Sequence, residues 1–331
     1  MDLTPADTPK NSREFATATA RIDAEREGMR MQEALVGLFP DWLPSRKSCR
    51  KAIDRGEIRC DGHVATTALR VSEGQVVQLM LSNAIAIHPG PGAPPSLKMV
   101  RTPGADYLLV WKPAGLATTG SGRLTLAHVL AFKADQGSEE ERLLLRPIKR
   151  DALPHPHPVH RLDRATSGWV CVALNLSASA SLGRAFAERK VEKRYLALVA
   201  GDLKSGSSET PIEGQDATTH WTTLARGPIP VHETASLIDI RIETGRTHQI
   251  RRHLSASGHP IVGEDLYCAP GVDLASAPRY TGSGLLLCAY ALTIPEGVHG
   301  PSTHASSSVP RKFKRFRWVE SALPRQETEA S

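Results

Sequence analysis

Apolar residues recur along this chain with two different periods, and the change from one to the other divides it. Between Arg30 and Leu81, Met31, Leu35 and Phe39 stand four apart, the spacing of one face of an amphipathic helix. A second helix is predicted after Ser45, whose hydroxyl suits an N-cap, with Gly56 as its C-cap and Cys49 and Ile53 on its buried face. In Glu57–Val64 an Asp61-Gly62 pair sits between alternating residues, a strong local hairpin signal, and Gly74-Gln75-Val76-Val77 carries a further strand. Farther along, strands dominate: one ending at Lys112, then Trp169–Leu174, Ser236–Ile242 and Leu285–Ile294. Turns and a few helices separate these runs, so the chain reads as an α+β protein.

The segment from Ile87 to Gly104 is rich in Pro and Gly, as an interdomain linker would be. The predicted plan is therefore a leader over 1–28, a small helix and hairpin domain over 29–85, a linker over 86–104, a larger domain over 105–320 and a tail over 321–331. Gln136–Pro158, rich in Glu, Arg and Pro, and Ser205–Thr219, rich in Ser, Thr and Gly, read as surface insertions in the larger domain. In Arg311–Trp318 basic and aromatic residues alternate. That pattern fits either an RNA-contacting strand with a stacking face or a terminal sheet strand with buried aromatics.

With 331 residues the chain is long enough for a large core and for two domains. Its 41 Lys and Arg outnumber 35 acids, a net charge of +6 that is compatible with nucleic acid without proving it. The distribution says more. Arg46, Lys47, Arg50, Lys51 and Arg55 crowd the second predicted helix, with Arg46 and Arg50, and Lys47 and Lys51, one turn apart. Such a face would bind phosphates with salt-dependent, largely sequence-blind affinity, and it makes Arg46, Lys47, Arg50 and Lys51 the phosphate-binding candidates. The five cysteines are widely spaced and form no Cys-x-x-Cys pair, so neither a disulfide framework nor a zinc knuckle is expected and a reducing cytoplasm fits. No apolar run approaches the ~18 residues of a membrane span, and no signal peptide core or nucleotide-binding glycine motif is present. His155, His157 and His160 alternate with prolines in an extended stretch without acidic or cysteine companions, so no metal is expected.

The chemistry concentrates in His160-Arg161-Leu162-Asp163-Arg164-Ala165-Thr166-Ser167-Gly168. One carboxylate lies between two guanidinium groups just before a buried strand, which suits a nucleophile mounted on rigid structure. The arginines hold it ionised and can also meet phosphate oxygens, pointing to an anionic polymer as substrate. This string closely resembles the catalytic motif of the RluA-type pseudouridine synthases. The Lys112-Pro113-Ala114-Gly115 turn resembles that family's first motif, Lys193–Gly201 its tyrosine motif, and Thr244–Leu254 its third. The segment around the basic helix resembles the alpha-L RNA-binding domain named after a small-subunit ribosomal protein. Together these resemblances cover Arg30 to about Pro295.

The resemblance implies a catalytic domain on a mixed, largely antiparallel sheet with a central cleft. It implies isomerisation of uridine to pseudouridine in structured RNA without a cofactor. The accessory domain favours ribosomal RNA over transfer RNA, and the protein is expected to act as a cytoplasmic monomer. Asp163 would attack either the anomeric carbon or the uracil ring; both routes stay open. The target base must leave its stack. Tyr195 would then hold the ring flat and take the carbon 5 proton. Arg161 would fill the vacated stack or clamp a flanking phosphate, Arg164 would touch the RNA backbone, and Lys112 and Arg246 complete the substrate-binding set. Arg251 would pair with Asp163, with Arg246 as the alternative partner. Two departures from the family pattern, Glu264 after Gly263 and Cys288 before Ala289, are expected to fall outside the site. The rivals are a catalytically silent RNA-binding assembly factor and a glycosidase, which would need a paired carboxylate.

Overall fold

A computed structural model describes residues 18–40, 43, 45–54, 56–79, 95–120, 124–148, 151–272, 284–307 and 310–322. Arg55, most of the predicted leader and tail, and the linker up to residue 94 lie outside the described residues. Two compact units divide between Ala86 and Ile87.

The first unit contains strand β1 (Ala18–Arg21), helices α1 (Met31–Ala34) and α2 (Arg46–Asp54), and strands β2 (Ile58–Cys60), β3 (His63–Val64) and β4 (Val76–Leu79). The strands pair antiparallel in the order β1-β4-β2-β3. The helix expected over residues 31–39 is a single turn, because Gly37 and Pro40 are the poorest helix formers. Met31, Leu35 and Phe39 are nevertheless all buried in one cluster with Cys49, Ile53, Ile58 and Val77. Ser45 caps α2 by accepting a hydrogen bond from the Ser48 amide at 3.2 Å. Asp61 and Gly62 both have positive φ, 47° and 81°, as the tight β2–β3 turn requires. Along α2, Cys49, Ala52 and Ile53 face inward, and Arg46, Lys47, Arg50 and Lys51 are exposed.

The second unit opens with β5 (Met99–Val100), β6 (Tyr107–Lys112), α3 (Leu126–Gln136), α4 (Glu139–Leu145) and β7 (Ala152–Pro158). Then follow β8 (Ser167–Asn175), α5 (Leu176–Ala187), β9 (Glu192–Ala200), β10 (Gly206–Ser208), β11 (Thr219–Ile229) and β12 (His232–Ile242). The chain closes with α6 (Gln249–Ala256), β13 (Leu287–Ile294), β14 (Thr303–Ser306) and α7 (Arg317–Ala322). One ten-stranded mixed sheet runs β10-β11-β12-β9-β13-β8-β6-β5, with β14 beside β13 and β7 beside β8. Among the described residues β8 and β13 form its one parallel pairing. Alternate residues of β6 and β8 enter opposite layers: Leu108, Val110, Val170 and Val172 on one face, and Tyr107, Leu109, Trp169 and Cys171 on the other. Apolar layers on both faces explain why all nine residues of β8 are buried.

Three expectations change here. Gln136–Pro158 is built structure as well as surface: α4 carries a full capping box between Ser138 and Glu141, and β7 adds to the sheet. Ser205–Thr219 contains β10, paired with β11. Arg311–Trp318 is not a strand. Phe313, Phe316 and Val319 are buried at a three-residue spacing against the main core, leading into α7.

Gly168 decides how the sheet meets the site. Its φ is +142°, and a Cβ there would stand 2.7 Å from the Ala289 Cα. Only glycine lets β8 close on β13 at the point where the Asp163 segment enters the sheet.

Candidate active site

Asp163 occupies a turn closed by the Thr166 amide donating to the Asp163 carbonyl at 3.0 Å, immediately before β8. The loop after β6 grips this turn from both sides. The Thr118 hydroxyl donates to the Leu162 carbonyl at 2.9 Å and accepts from the Leu162 amide at 3.0 Å. The Gly115 amide donates to the Arg164 carbonyl at 2.7 Å, and Arg164 Nε returns a bond to the Gly115 carbonyl at 2.9 Å. Lys112 is completely buried. Its Nζ donates to the carbonyls of Leu116 (2.7 Å), Pro113 (3.0 Å) and Arg164 (3.5 Å). Burial lowers its pKa to about 8 against the opposing pull of Asp163. The expectation that Lys112 binds substrate is therefore corrected: it ties two loops together beneath the carboxylate and has no path to RNA. The guanidinium of Arg164 is tied through Nε to the same loop and is otherwise exposed.

Asp163 lies in a recess of about 90 Å³ that also brings together Arg161, Thr166, Tyr195, Arg246, His248 and Arg251. Its side chain keeps 19 % of its surface exposed, a sheltered carboxylate with one open side. Tyr195, on β9, is buried, and burial together with the Asp163 charge pushes its phenol up from the ordinary value. Arg161 is exposed, and its guanidinium has no hydrogen-bond or ion-pair partner among the described residues. Beyond it a groove of about 400 Å³ is lined by Arg161, Arg189, Lys193 and Arg246, with Phe186 and Tyr195. A larger cleft of about 900 Å³, between Arg101–Gly104 and α4, contains none of the predicted site residues.

Arg251 reaches the recess, but not as expected. Its Nε donates to Glu264 Oε2 at 2.7 Å, its Nη2 bonds Glu264 Oε1, and Asp265 Oδ1 lies 3.1 Å from Nη2. The planar fork of arginine is thus filled by a carboxylate whose side chain is only 2 % exposed, and Asp163 is left to act on Arg251 through its field. The predicted Arg251–Asp163 pair is corrected to Arg251–Glu264; Glu264 itself does not line the recess but fixes the arginine that does. Cys288, the other departure, is buried on β13, and burial pushes its thiol up to about 12. Arg246 donates from Nε to the Asp216 carbonyl at 2.9 Å.

The side chain that comes close to the Asp163 carboxylate is His248, with Nε2 3.7 Å from Oδ1. A buried hub shapes its loop: Gln249 Oε1 accepts from the Thr244 hydroxyl (2.7 Å) and the Arg246 amide (3.0 Å), and its Nε2 donates to the Thr218 carbonyl (2.9 Å). His248 lies within the Thr244–Leu254 motif, and no local sequence signal marks its left-handed backbone, φ 56°. His160 instead belongs to the framework: its Nε2 accepts from the Cys171 amide at 2.9 Å and its ring stacks on Phe186. Among the described residues no group of three His, Cys, Asp or Glu side chains is placed to hold a metal ion.

A single sheltered carboxylate on a rigid turn, a buried tyrosine in the same recess and a basic groove nearby suit an RNA-modifying isomerase, the class to which the similar proteins belong. The family model for RNA pseudouridylate synthases matches residues 106–256. The chain is 31% identical over 311 residues, 87% of its own length and 88% of the relative's, to "Ribosomal large subunit pseudouridine synthase D" of Xanthomonas campestris pv. campestris. A protein of the same name from Nitrosomonas europaea is 30% identical over 269 residues, covering 76% of this chain and 72% of the relative. The solved structure of "Human RNA Pseudouridylate Synthase Domain Containing 4" matches 65% of this chain and 90% of its own at a TM-score of 0.50 and 21% identity, a likeness of fold. The chain belongs to the RNA pseudouridine synthase family and is an enzyme of that class.

Proposed function

We propose that this enzyme isomerises a uridine of large-subunit ribosomal RNA to pseudouridine, with Asp163 as nucleophile and the target base turned out of its stack into the recess beside Tyr195. The observation that carries the reading is the placement of Asp163: sheltered, fixed by hydrogen bonds at Leu162 and Arg164, and open on one side to a groove presenting Arg161, Arg189, Lys193 and Arg246. Extruding a base costs a few kcal/mol, and phosphate contacts along such a groove offset it. The ribosomal names of the similar bacterial proteins support ribosomal over transfer RNA. Exposed Arg46, Lys47, Arg50 and Lys51 on α2 support an alpha-L-like RNA-binding role for the first unit. The same reading makes the protein a monomer of the cytoplasm, where its five free thiols stay reduced.

The test is Asp163→Asn, assayed on ribosomal and transfer RNA transcripts by chemical detection of pseudouridine. Loss of product with RNA affinity retained is the expected result. Product from Asp163→Asn would remove the nucleophile assignment, and unmodified RNA with the unaltered protein would favour a silent RNA-binding factor.

A further inference from the structure

Four side chains form a connected line leading away from the carboxylate. His248 Nε2 stands 3.7 Å from Asp163 Oδ1, and His248 Nδ1 lies 2.8 Å from the Tyr267 hydroxyl. Arg252 Nε reaches the same hydroxyl at 3.2 Å, and Arg252 Nη2 bonds Glu213 at 2.9 Å. The direction of these bonds follows from the groups. A guanidinium only donates, so the Tyr267 oxygen accepts from Arg252, which leaves the hydroxyl proton free to be donated to His248 Nδ1. In the tautomer that accepts this bond at Nδ1, Nε2 carries the hydrogen, and His248 lines the recess. The guanidinium carbons of Arg251 and Arg252 also lie 5.4 and 5.6 Å from the Tyr267 ring centre, where they stabilise negative charge on that phenol. A non-glycine residue at φ 56° costs of order 1 kcal/mol and persists only when its surroundings hold it, here the Gln249 hub and the Tyr267 bond.

We infer that His248 is the proton carrier of the isomerisation, working in relay with Tyr267. Resting on the reading of Asp163 above, the step balances on either route of attack. Converting uridine to pseudouridine removes one proton from carbon 5 and adds one to N1. As the bond from the sugar to N1 breaks, Nε2–H gives its proton to N1 and the Tyr267 hydroxyl proton passes to Nδ1. The phenolate so formed is held by Arg252 and Arg251. Once carbon 5 has bonded to the sugar, the lone pair on Nε2 takes the carbon 5 proton and the Nδ1 proton returns to Tyr267. One group serves both transfers because turning the ring over brings carbon 5 to the place N1 has left. Tyr195 is poorly suited to this work, since burial and the neighbouring carboxylate oppose its ionisation; its ring remains the platform for the base.

The experiment compares wild type, His248→Asn and Tyr267→Phe in single-turnover reactions on a ribosomal RNA transcript, with and without deuterium at uridine carbon 5. Asparagine accepts the left-handed backbone that His248 occupies, and Tyr267→Phe removes one bond to the imidazole while the Gln249 hub still holds the loop, so the second variant carries the test should the first fail to fold. His248→Asn is expected to slow product formation about 10²–10⁴-fold at unchanged RNA affinity. It should also reveal a primary isotope effect absent from wild type, because proton removal is left to water. Tyr267→Phe should slow the reaction about tenfold with the same isotope effect. Rates within threefold of wild type would overturn the inference. So would slow variants without an isotope effect, which would reduce His248 to positioning Asp163. Inactive wild type would instead overturn the reading of the site as a whole.

Discussion

Removing Glu264 tests the corrected ion pair directly. In Glu264→Ala, Arg251 loses two charge-assisted hydrogen bonds while its side chain stays 4 % exposed, leaving a buried guanidinium without its main partner. Breaking a buried pair from one side costs roughly 3–5 kcal/mol. Asp265, 3.1 Å away but 81 % exposed, recovers part of the loss, so the lower end, about 3 kcal/mol, applies. At about 2–4 °C per kcal/mol for a domain of this size, the melting temperature should fall by roughly 6–12 °C. Scanning calorimetry on Glu264→Ala, Arg251→Met and the double variant gives a cycle in which the two changes should couple by about 2 kcal/mol. The matching cycle of Arg251→Met with Asp163→Asn should couple more weakly, because Asp163 reaches Arg251 only through its field. A melting shift under 2 °C, or stronger coupling of Arg251 to Asp163 than to Glu264, would refute the pairing.

Lys112 gives a pH signature. Its folded pKa, about 8, lies below the ordinary 10.5, so the unfolded chain binds more protons between those values and stability rises with pH across that window. Urea midpoints should show wild type gaining on Lys112→Met from pH 7 to 10 by an amount approaching about 3 kcal/mol; a gap that stays flat or narrows contradicts the burial argument. Gly168→Ala should fail to accumulate as folded protein, because its Cβ would drive β8 away from Ala289 and a φ of +142° is closed to alanine; a soluble variant melting within 3 °C of wild type would show that the two strands can separate cheaply. Replacing Arg46, Lys47, Arg50 and Lys51 with alanine should weaken RNA binding uniformly across sequences and reduce the salt slope by roughly 3, as measured by filter binding at several salt concentrations. An unchanged slope would show that α2 does not meet phosphate.

Much of the architecture was legible because its signals are local. Asp61-Gly62 allows hardly any connection other than a tight hairpin, Ser45 and Gly56 frame α2, and the unbroken apolar run after Ser167 has no stable place except a strand covered on both sides. The failures arose where a pattern has two physical solutions. Lys312-Phe313-Lys314 and Phe316-Arg317-Trp318 alternate well enough to pass for a strand, yet Phe313, Phe316 and Val319 follow a three-residue repeat, and packing against the main core selected it. At the first helix, four-residue spacing was satisfied by one turn and a compact bend, since burial of Met31, Leu35 and Phe39 needs their side chains on one side and not a continuous helix.

The site shows a sharper limit. A motif names residues, but burial and partners assign their roles, and partners come from distant parts of the chain. Lys112 and Arg161 looked alike as cations near Asp163, yet one is sealed among carbonyls and the other stands free in solvent, so only Arg161 can meet RNA. Arg251 was assigned to Asp163 by the family resemblance, because sequence offered no distance to Glu264, thirteen residues on, whose carboxylate meets both Nε and Nη2 of its fork. His248 drew no assignment at all. Its proposed role depends on which ring nitrogen carries the hydrogen, and the groups that bear on this, Tyr267 and behind it Arg252, meet it only once the loop, the helix and the segment after Gly263 are folded together.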